Sequence, residues 1–187
     1  MTFAWTPHRF SGGALALDVA NSVILRFDDQ RRTDRFAVDS QLAAFAAAAS
    51  ALSAERGSFG ALAPIDNADR NGLVALREAI DGCFRHRVRT GRDDPERLAA
   101  LLEQIAGVLR RHAGSLQPWP VELATAHSAL KLVCMAEPER MKICPNCEWL
   151  FIDQSRNRSR AWCDMAVCGN RAKARLHYNK TRKAGAQ

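Results

Sequence analysis

Four of the six cysteines in this 187-residue chain crowd into its last quarter, within 25 residues. Cys144 and Cys147 form a C-x2-C pair, Cys163 and Cys168 a C-x4-C pair, and fifteen residues separate the two. A tetrahedral divalent ion accepts four thiolates at about 2.3 Å. A C-x2-C pair delivers two sulfurs from one tight turn, and Pro145 and Asn146 are turn residues. In a reducing compartment this spacing is a zinc signature rather than a disulfide framework. One structural Zn2+ held by Cys144, Cys147, Cys163 and Cys168 is therefore expected. Cys83 and Cys134 stand alone in helix-like apolar patterns and read as small buried side chains.

Charge divides the chain at the same place. Residues 141–187 carry ten basic side chains against three acidic ones, so the whole net charge of +7 sits there, and the first 140 residues are neutral. A basic module joined to a neutral domain points to a polyanionic partner, nucleic acid ahead of a membrane surface. The longest apolar run, Leu42 to Leu52, falls short of the ~20 residues of a membrane span. Met1 to Phe10 lack a basic-then-apolar leader. A cytoplasmic location without membrane association is expected. Apolar residues at 47% and charged residues at 25% describe an ordinary globular chain that needs no disulfides.

The first 140 residues read mainly as helix. Residues 3–10 suggest a short strand ending at Gly12 and Gly13. Ala14 to Phe27 has helical apolar spacing, with Leu17, Ala20, Ile24 and Phe27 on one row. A short strand is expected near Arg35 to Val38, then a helix capped by Asp39 or Ser40 and running through Ser50. Gly57 to Pro64 reads as a linker. A helix over Asp66 to Thr90 should stop at Gly91. Asp94 and Pro95 should start another, reaching about Ala113. After the stiff Gln117-Pro118-Trp119-Pro120 connector a last helix is expected over Val121 to Ala136. The fold class is thus mainly α (α+β): a helical N-terminal domain, 1–140, with a few short strands, plus a small C-terminal zinc module, 141–187.

Within that module Glu148 to Ile152 is rich in strand formers, and Ser159 to Cys163 can return as a second strand. Gly169 to Lys180 has a helix pattern. Knuckle, hairpin and a helix carrying the last ligand form a treble clef. A helix N-terminus also favours thiolate, through its free N–H groups and dipole.

The stretch from Cys144 to Arg175, with its Cys-Pro-Asn-Cys knuckle, Ser-Arg-Asn-Arg-Ser turn and closing Cys168, Gly169, Asn170 and Arg171, resembles the CGNR zinc finger. Leu15-Ala-Leu-Asp-Val-Ala-Asn-Ser resembles the Leu-Asp-x-x-Asn-Thr stretch that opens the ABATE domain, the usual companion of that finger. Ser22 stands where threonine is common, and Ala161 where a second arginine is frequent. The resemblance implies a bacterial transcription regulator whose finger binds double-stranded DNA and whose N-terminal domain senses a ligand.

On the last helix Ala172, Leu176 and Asn179 share the face expected to pack on the hairpin. Arg171, Arg175 and Arg182 flank it on one side, and Lys173, His177 and Lys180 on the other. With Arg156, Arg158 and Arg160 from the hairpin tip, these cations are the candidate DNA contacts: Arg156, Arg158, Arg160, Arg171, Lys173, Arg175, Lys180 and Arg182. The competing reading is a solvated basic helix, with Arg171 bonded to a thiolate or a hairpin carbonyl. Asn170 reads as a helix-start or hairpin-bracing residue rather than a base reader, and Trp149 and Trp162 as the module's core.

In the N-terminal domain Asp18 and Asn21 lie three apart on one helix side, and Arg77 sits on a later amphipathic helix. An acid, an amide and a guanidinium in an apolar bundle line either a small-molecule effector pocket or a buried polar network. His112 and His127 read as surface or satisfied residues. No Gly-rich phosphate loop or catalytic constellation assembles, and four thiolates leave zinc no open position, so no enzyme is expected. The function expected is a homodimeric DNA-binding regulator reading two half-sites. The alternatives are a protein-interaction adaptor with a purely structural zinc module, and an RNA-binding protein.

Overall fold

The computed structural model describes residues 3–114, 118–175 and 178. Four helices make its largest core. The first, α1 (Leu15–Ala20), has every residue buried. It packs on α4 (Arg70–Thr90) and α6 (Val121–Val133), while α5 (Pro95–Arg111) packs on both of those. Leu17, Leu76, Ile80, Phe84, Leu101 and Ile105 fill the space between them. The Asp94 side chain caps α5, accepting from the N–H groups of Glu96 (3.0 Å) and Arg97 (3.3 Å). Gly91 ends α4 in the left-handed region at φ +69°. Both helix ends agree with the sequence reading.

A second core forms around α2 (Asp39–Leu52). Phe45 meets Trp5 and Phe36 edge-on at 5.0 Å each and stacks on Phe10 at 5.5 Å. These contacts explain why residues 3–10 are not a strand. The segment lays its aromatics onto α2, the Trp5 indole N–H donates to the Gln41 carbonyl (2.8 Å), and Pro7 opens a short 3-10 helix, Pro7–Phe10.

Other expectations need correction. The helix expected over Ala14 to Phe27 ends at Ala20, because the Asn21 side chain bonds elsewhere and Leu25 takes φ +48°. β1 (Val23–Ile24) then pairs antiparallel with β2 (Thr33–Asp34). Arg35–Ala37 is a 3-10 turn rather than a strand, with Asp34 accepting from the Phe36 N–H (2.9 Å). Val38 occupies the N-cap of α2, with no side-chain cap. The 57–64 linker holds a short helix, α3 (Arg56–Phe59), and β3 (Leu62–Ala63). Buried Phe59 against Trp119 (5.5 Å) draws that segment in, and β3 pairs parallel with β4 (Trp119–Pro120). Cys134, just past the end of α6, is exposed rather than buried.

The last strands, β5 (Met141–Ile143) and β6 (Leu150–Ile152), are antiparallel, with Lys142 opposite Phe151. They carry the zinc module, yet they belong to the helical core as well. Met141 and Leu150 sit in the same apolar cluster as Leu17, Ile80 and Phe84. Ile152 N–H donates to the Gly12 carbonyl (2.9 Å), and Arg85 Nη1 to the Glu148 carbonyl (2.7 Å). No described helix is long and apolar enough to cross a membrane.

Candidate metal centre and its basic face

β5 runs directly into the knuckle. Cys144 N–H donates to the Trp149 carbonyl (2.9 Å) and Glu148 N–H to the Cys144 carbonyl (2.8 Å), while Glu148 takes φ +60° to close the turn. Cys144 and Cys147 thereby point to one place. Cys163 arrives from a loop without a second strand, so the hairpin expected over Ser159 to Cys163 is absent. The loop is organised on Asp153, which is fully buried. It accepts from Ser155 N–H (2.9 Å), Ser155 Oγ (2.6 Å), Arg160 N–H (2.9 Å) and Lys142 Nζ (2.7 Å). A carboxylate with four donors has no need of a strand ladder to fix the chain around it. Burial opposes its charge, but the bonds from Lys142, Ser155 and Arg160 outweigh burial and hold its pKa below the usual carboxylate range.

Cys168 lies in a π-helical turn, Met165–Gly169, that continues as α-helix over 170–175. Asp164 caps this turn, accepting from Ala166 N–H (2.8 Å) and Val167 N–H (3.3 Å), and it also meets His8 Nδ1 at 3.0 Å. The Asn170 amide donates back to the Ala166 carbonyl (3.0 Å), a bond within the start of its own helix rather than to the hairpin.

The four Sγ atoms all lie within 4.8 Å of one another, with Cys144, Cys163 and Cys168 buried. Hydrogen bonds with Cys147 and Cys163, and then the peptide N–H groups of Cys163 and Asn146, pull the Cys144 thiol pKa far below its usual value. The bonds with Cys144 push Cys147 and Cys163 up. Several thiolates cannot share so small a volume without a cation to offset their charge. All-sulfur donors in a closed, mostly buried cluster suit one structural zinc ion, and the cluster fits it. Around the sulfurs, Asn146 Nδ2 donates to Cys168 Sγ (3.2 Å), and Asn146 Oδ1 accepts from Arg175 Nη2. Such outer contacts orient thiolate ligands.

Arg158 pairs with Glu137 and Glu139, and Arg160 Nε donates to the Trp162 carbonyl (2.9 Å) while its guanidinium lies over Phe151. Arg156, Arg171, Lys173 and Arg175 are exposed, as is Arg158, and Arg175 also donates to Asn146 Oδ1. Lys180 and Arg182 lie outside the described residues, as do Leu176, His177 and Asn179. Beside the knuckle a cleft of about 350 Å³ is lined by His8, Arg9, Arg31, Trp149, Arg171 and Arg175 among others. Its N-terminal residues carry no local sequence signal, so reading the sequence could not have found them. Burial first, then neighbouring Arg35 and Arg171, lowers the pKa of Arg9, which lies 5.3 Å from the Trp149 ring.

Asp18, Asn21 and Arg77 are all buried, and they share no hydrogen-bond partner among the described residues. Asp18 accepts from Gly12 N–H (3.0 Å) and Ser53 Oγ (3.2 Å). Asn21 bonds the backbone of Leu150. Arg77 grips both oxygens of Asp34 at 2.7 Å and also reaches Ser22 and Glu78.

Comparison with known families divides the chain in two. Residues 13–136 match the ABATE family, described as "Putative stress-induced transcription regulator", and residues 140–181 match the CGNR zinc finger. No curated protein matches the chain.

Proposed function

The chain belongs to the ABATE family and carries a CGNR zinc finger behind its ABATE domain, and on that footing we propose that it regulates transcription by binding double-stranded DNA through the finger. The observation that carries this reading is the run of exposed cations Arg171, Lys173 and Arg175 on the helix that leaves the zinc cluster. Arg9 and Arg31 extend it across the cleft. Converging guanidinium groups suit phosphate oxygens, and phosphate contacts supply affinity and register. Residues 1–140 act as a ligand-sensing or dimerising domain and 141–187 as the DNA module. Two copies would read two half-sites, since one small module offers a modest interface. Zinc closed in by four thiolates serves structure rather than catalysis, and the site of action is the cytoplasm.

One observation favours the adaptor reading for part of the charge: Arg158, Arg160 and Arg175 are already bonded within the module. Fluorescence anisotropy with labelled duplex DNA over a series of salt concentrations separates the two. Each phosphate contact contributes about −0.9 to the slope of log K against log salt. Arg171→Ala and Arg175→Ala should each reduce the slope by roughly that amount. A slope unchanged in both variants overturns the proposed face, and preference for single-stranded RNA over duplex DNA favours the RNA-binding alternative. Sedimentation of the protein alone and on a two-site duplex tests the dimer.

A further inference from the structure

Three helix ends converge away from the cysteines. Asp69 lies immediately before α4, His112 caps the end of α5, and Glu122 is in the first turn of α6. One ligand atom from each lies within 4.8 Å of the other two. Glu122 is fully buried. Its Oε1 meets His112 Nε2, but its Oε2 is buried with no hydrogen-bond partner among the described residues. The nearest cation is Arg111, whose Nη2 is 3.6 Å from Glu122 Oε1 and whose Nε is 3.6 Å from Asp69 Oδ1. Both separations are longer than a hydrogen bond. A buried carboxylate ordinarily has both oxygens satisfied, because stripping them of water is costly. An oxygen without a partner, on a buried carboxylate that already meets an imidazole and lies within 4.8 Å of a second carboxylate, marks the place of a missing positive ligand.

We propose that Asp69, His112 and Glu122 form a second metal site, for a divalent first-row transition ion. One nitrogen and two carboxylate oxygens are a borderline donor set, suited to zinc, cobalt, nickel, manganese or iron(II). Calcium and magnesium prefer oxygen alone. The ion takes Glu122 into its coordination and replaces the His112 hydrogen bond with a nitrogen–metal bond. Arg111 competes with it for both carboxylates. Read from its helix alone, His112 is a surface or satisfied residue. Its partners lie 43 residues before it and ten after it, so no local spacing announces the set. The site is independent of the DNA-binding reading.

The test uses full-length protein carrying one zinc on its thiolates, titrated with Co2+ and analysed for metal after desalting. The expected result is one further equivalent of cobalt, with weak visible bands and no sulfur-to-cobalt charge-transfer band. His112→Gln and Asp69→Asn should lose that equivalent and keep the zinc. Because Asp69 is partly exposed, its variant remains informative if His112→Gln disturbs folding. Arg111→Ala should bind cobalt at least as tightly as the parent. Failure of the parent to take a second equivalent, binding that survives both ligand variants, or cobalt that shows thiolate charge transfer would each overturn the site.

Discussion

Asn21 grips Leu150 by both of its backbone groups: Asn21 Nδ2 donates to the Leu150 carbonyl at 2.9 Å, and Leu150 N–H donates to Asn21 Oδ1 at 3.0 Å. The side chain behaves like one more residue of a β ladder. It sits directly after α1 and holds β6, the strand that leaves the zinc knuckle. The Asn of the motif that opens the ABATE domain is thus spent on the finger. The two family matches are consecutive in sequence, but they meet in one core.

Removing that clamp should cost more than two ordinary hydrogen bonds. Asn21→Ala leaves the Leu150 N–H and carbonyl buried without partners, at about 1–3 kcal/mol each. A loss of roughly 2–4 kcal/mol is expected in urea denaturation. Asn21→Asp keeps an acceptor for the Leu150 N–H and loses the donor to its carbonyl. Between Asn21→Ala and the parent is where its stability should fall. An Ala variant as stable as the parent would show that the clamp contributes nothing.

Zinc removal should be felt well beyond the cysteines. Leu150 and Met141 pack with Leu17, Ile80 and Phe84, so releasing the knuckle uncovers part of the helical core. Chelator treatment or Cys163→Ser should lower the melting temperature of the whole chain and change the near-ultraviolet signals of Trp149 and Trp162, which pack on the cysteine cluster. Calorimetry checks this. A helical transition unmoved in temperature while the zinc is lost would mean that the two regions unfold independently.

The parts of this fold legible in the sequence are those specified by neighbours in the chain. The Asp94–Pro95 start of α5, the Gly91 stop of α4 and the C-x2-C knuckle each need only a few adjacent residues. The features that sequence patterns do not announce depend on distant partners. The helical pattern over 14–27 is present, yet the chain departs from it at Asn21 to reach a strand 129 residues away. The strand expected over 159–163 gives way to the donors gathered on Asp153. At the candidate site, the four ligands can be read from spacing, but His8 and Arg9 against Trp149 cannot.

Gly12 is a position where no side chain fits. A Cβ there would lie 2.8 Å from both Asp18 Oδ1 and Leu17 Cβ, and 3.2 Å from the Asp18 backbone nitrogen. The same residue donates its N–H to Asp18 and accepts from Ile152. Gly12→Ala must therefore push the N-terminal segment off α1 and strain two buried hydrogen bonds. A loss of about 2–3 kcal/mol is expected, measured by thermal or urea unfolding. A neutral substitution would refute this account of the tight turn.

Asp18 should make stability depend on pH in the direction opposite to a paired carboxylate. Burial pushes its pKa well above the usual range, and the nearby Glu55 carboxylate adds to the rise, while the bonds from Gly12 and Ser53 only partly offset it. The native state therefore holds a proton that the unfolded chain has already released. Between the ordinary carboxylate pKa of about 4 and the raised native value, stability falls as pH rises, with a limiting slope of about 1.4 kcal/mol per pH unit. Below about pH 4 both states are protonated and the effect is complete. Asp18→Asn keeps the acceptor for Gly12 and can donate to Ser53, so it preserves the contacts and removes the titration. The variant should be more stable than the parent at neutral pH, and its advantage should shrink as pH falls toward about 4. Urea melts of the two proteins across that range check the sign, and an advantage that grows toward acid would mean that Asp18 is held ionised in the fold.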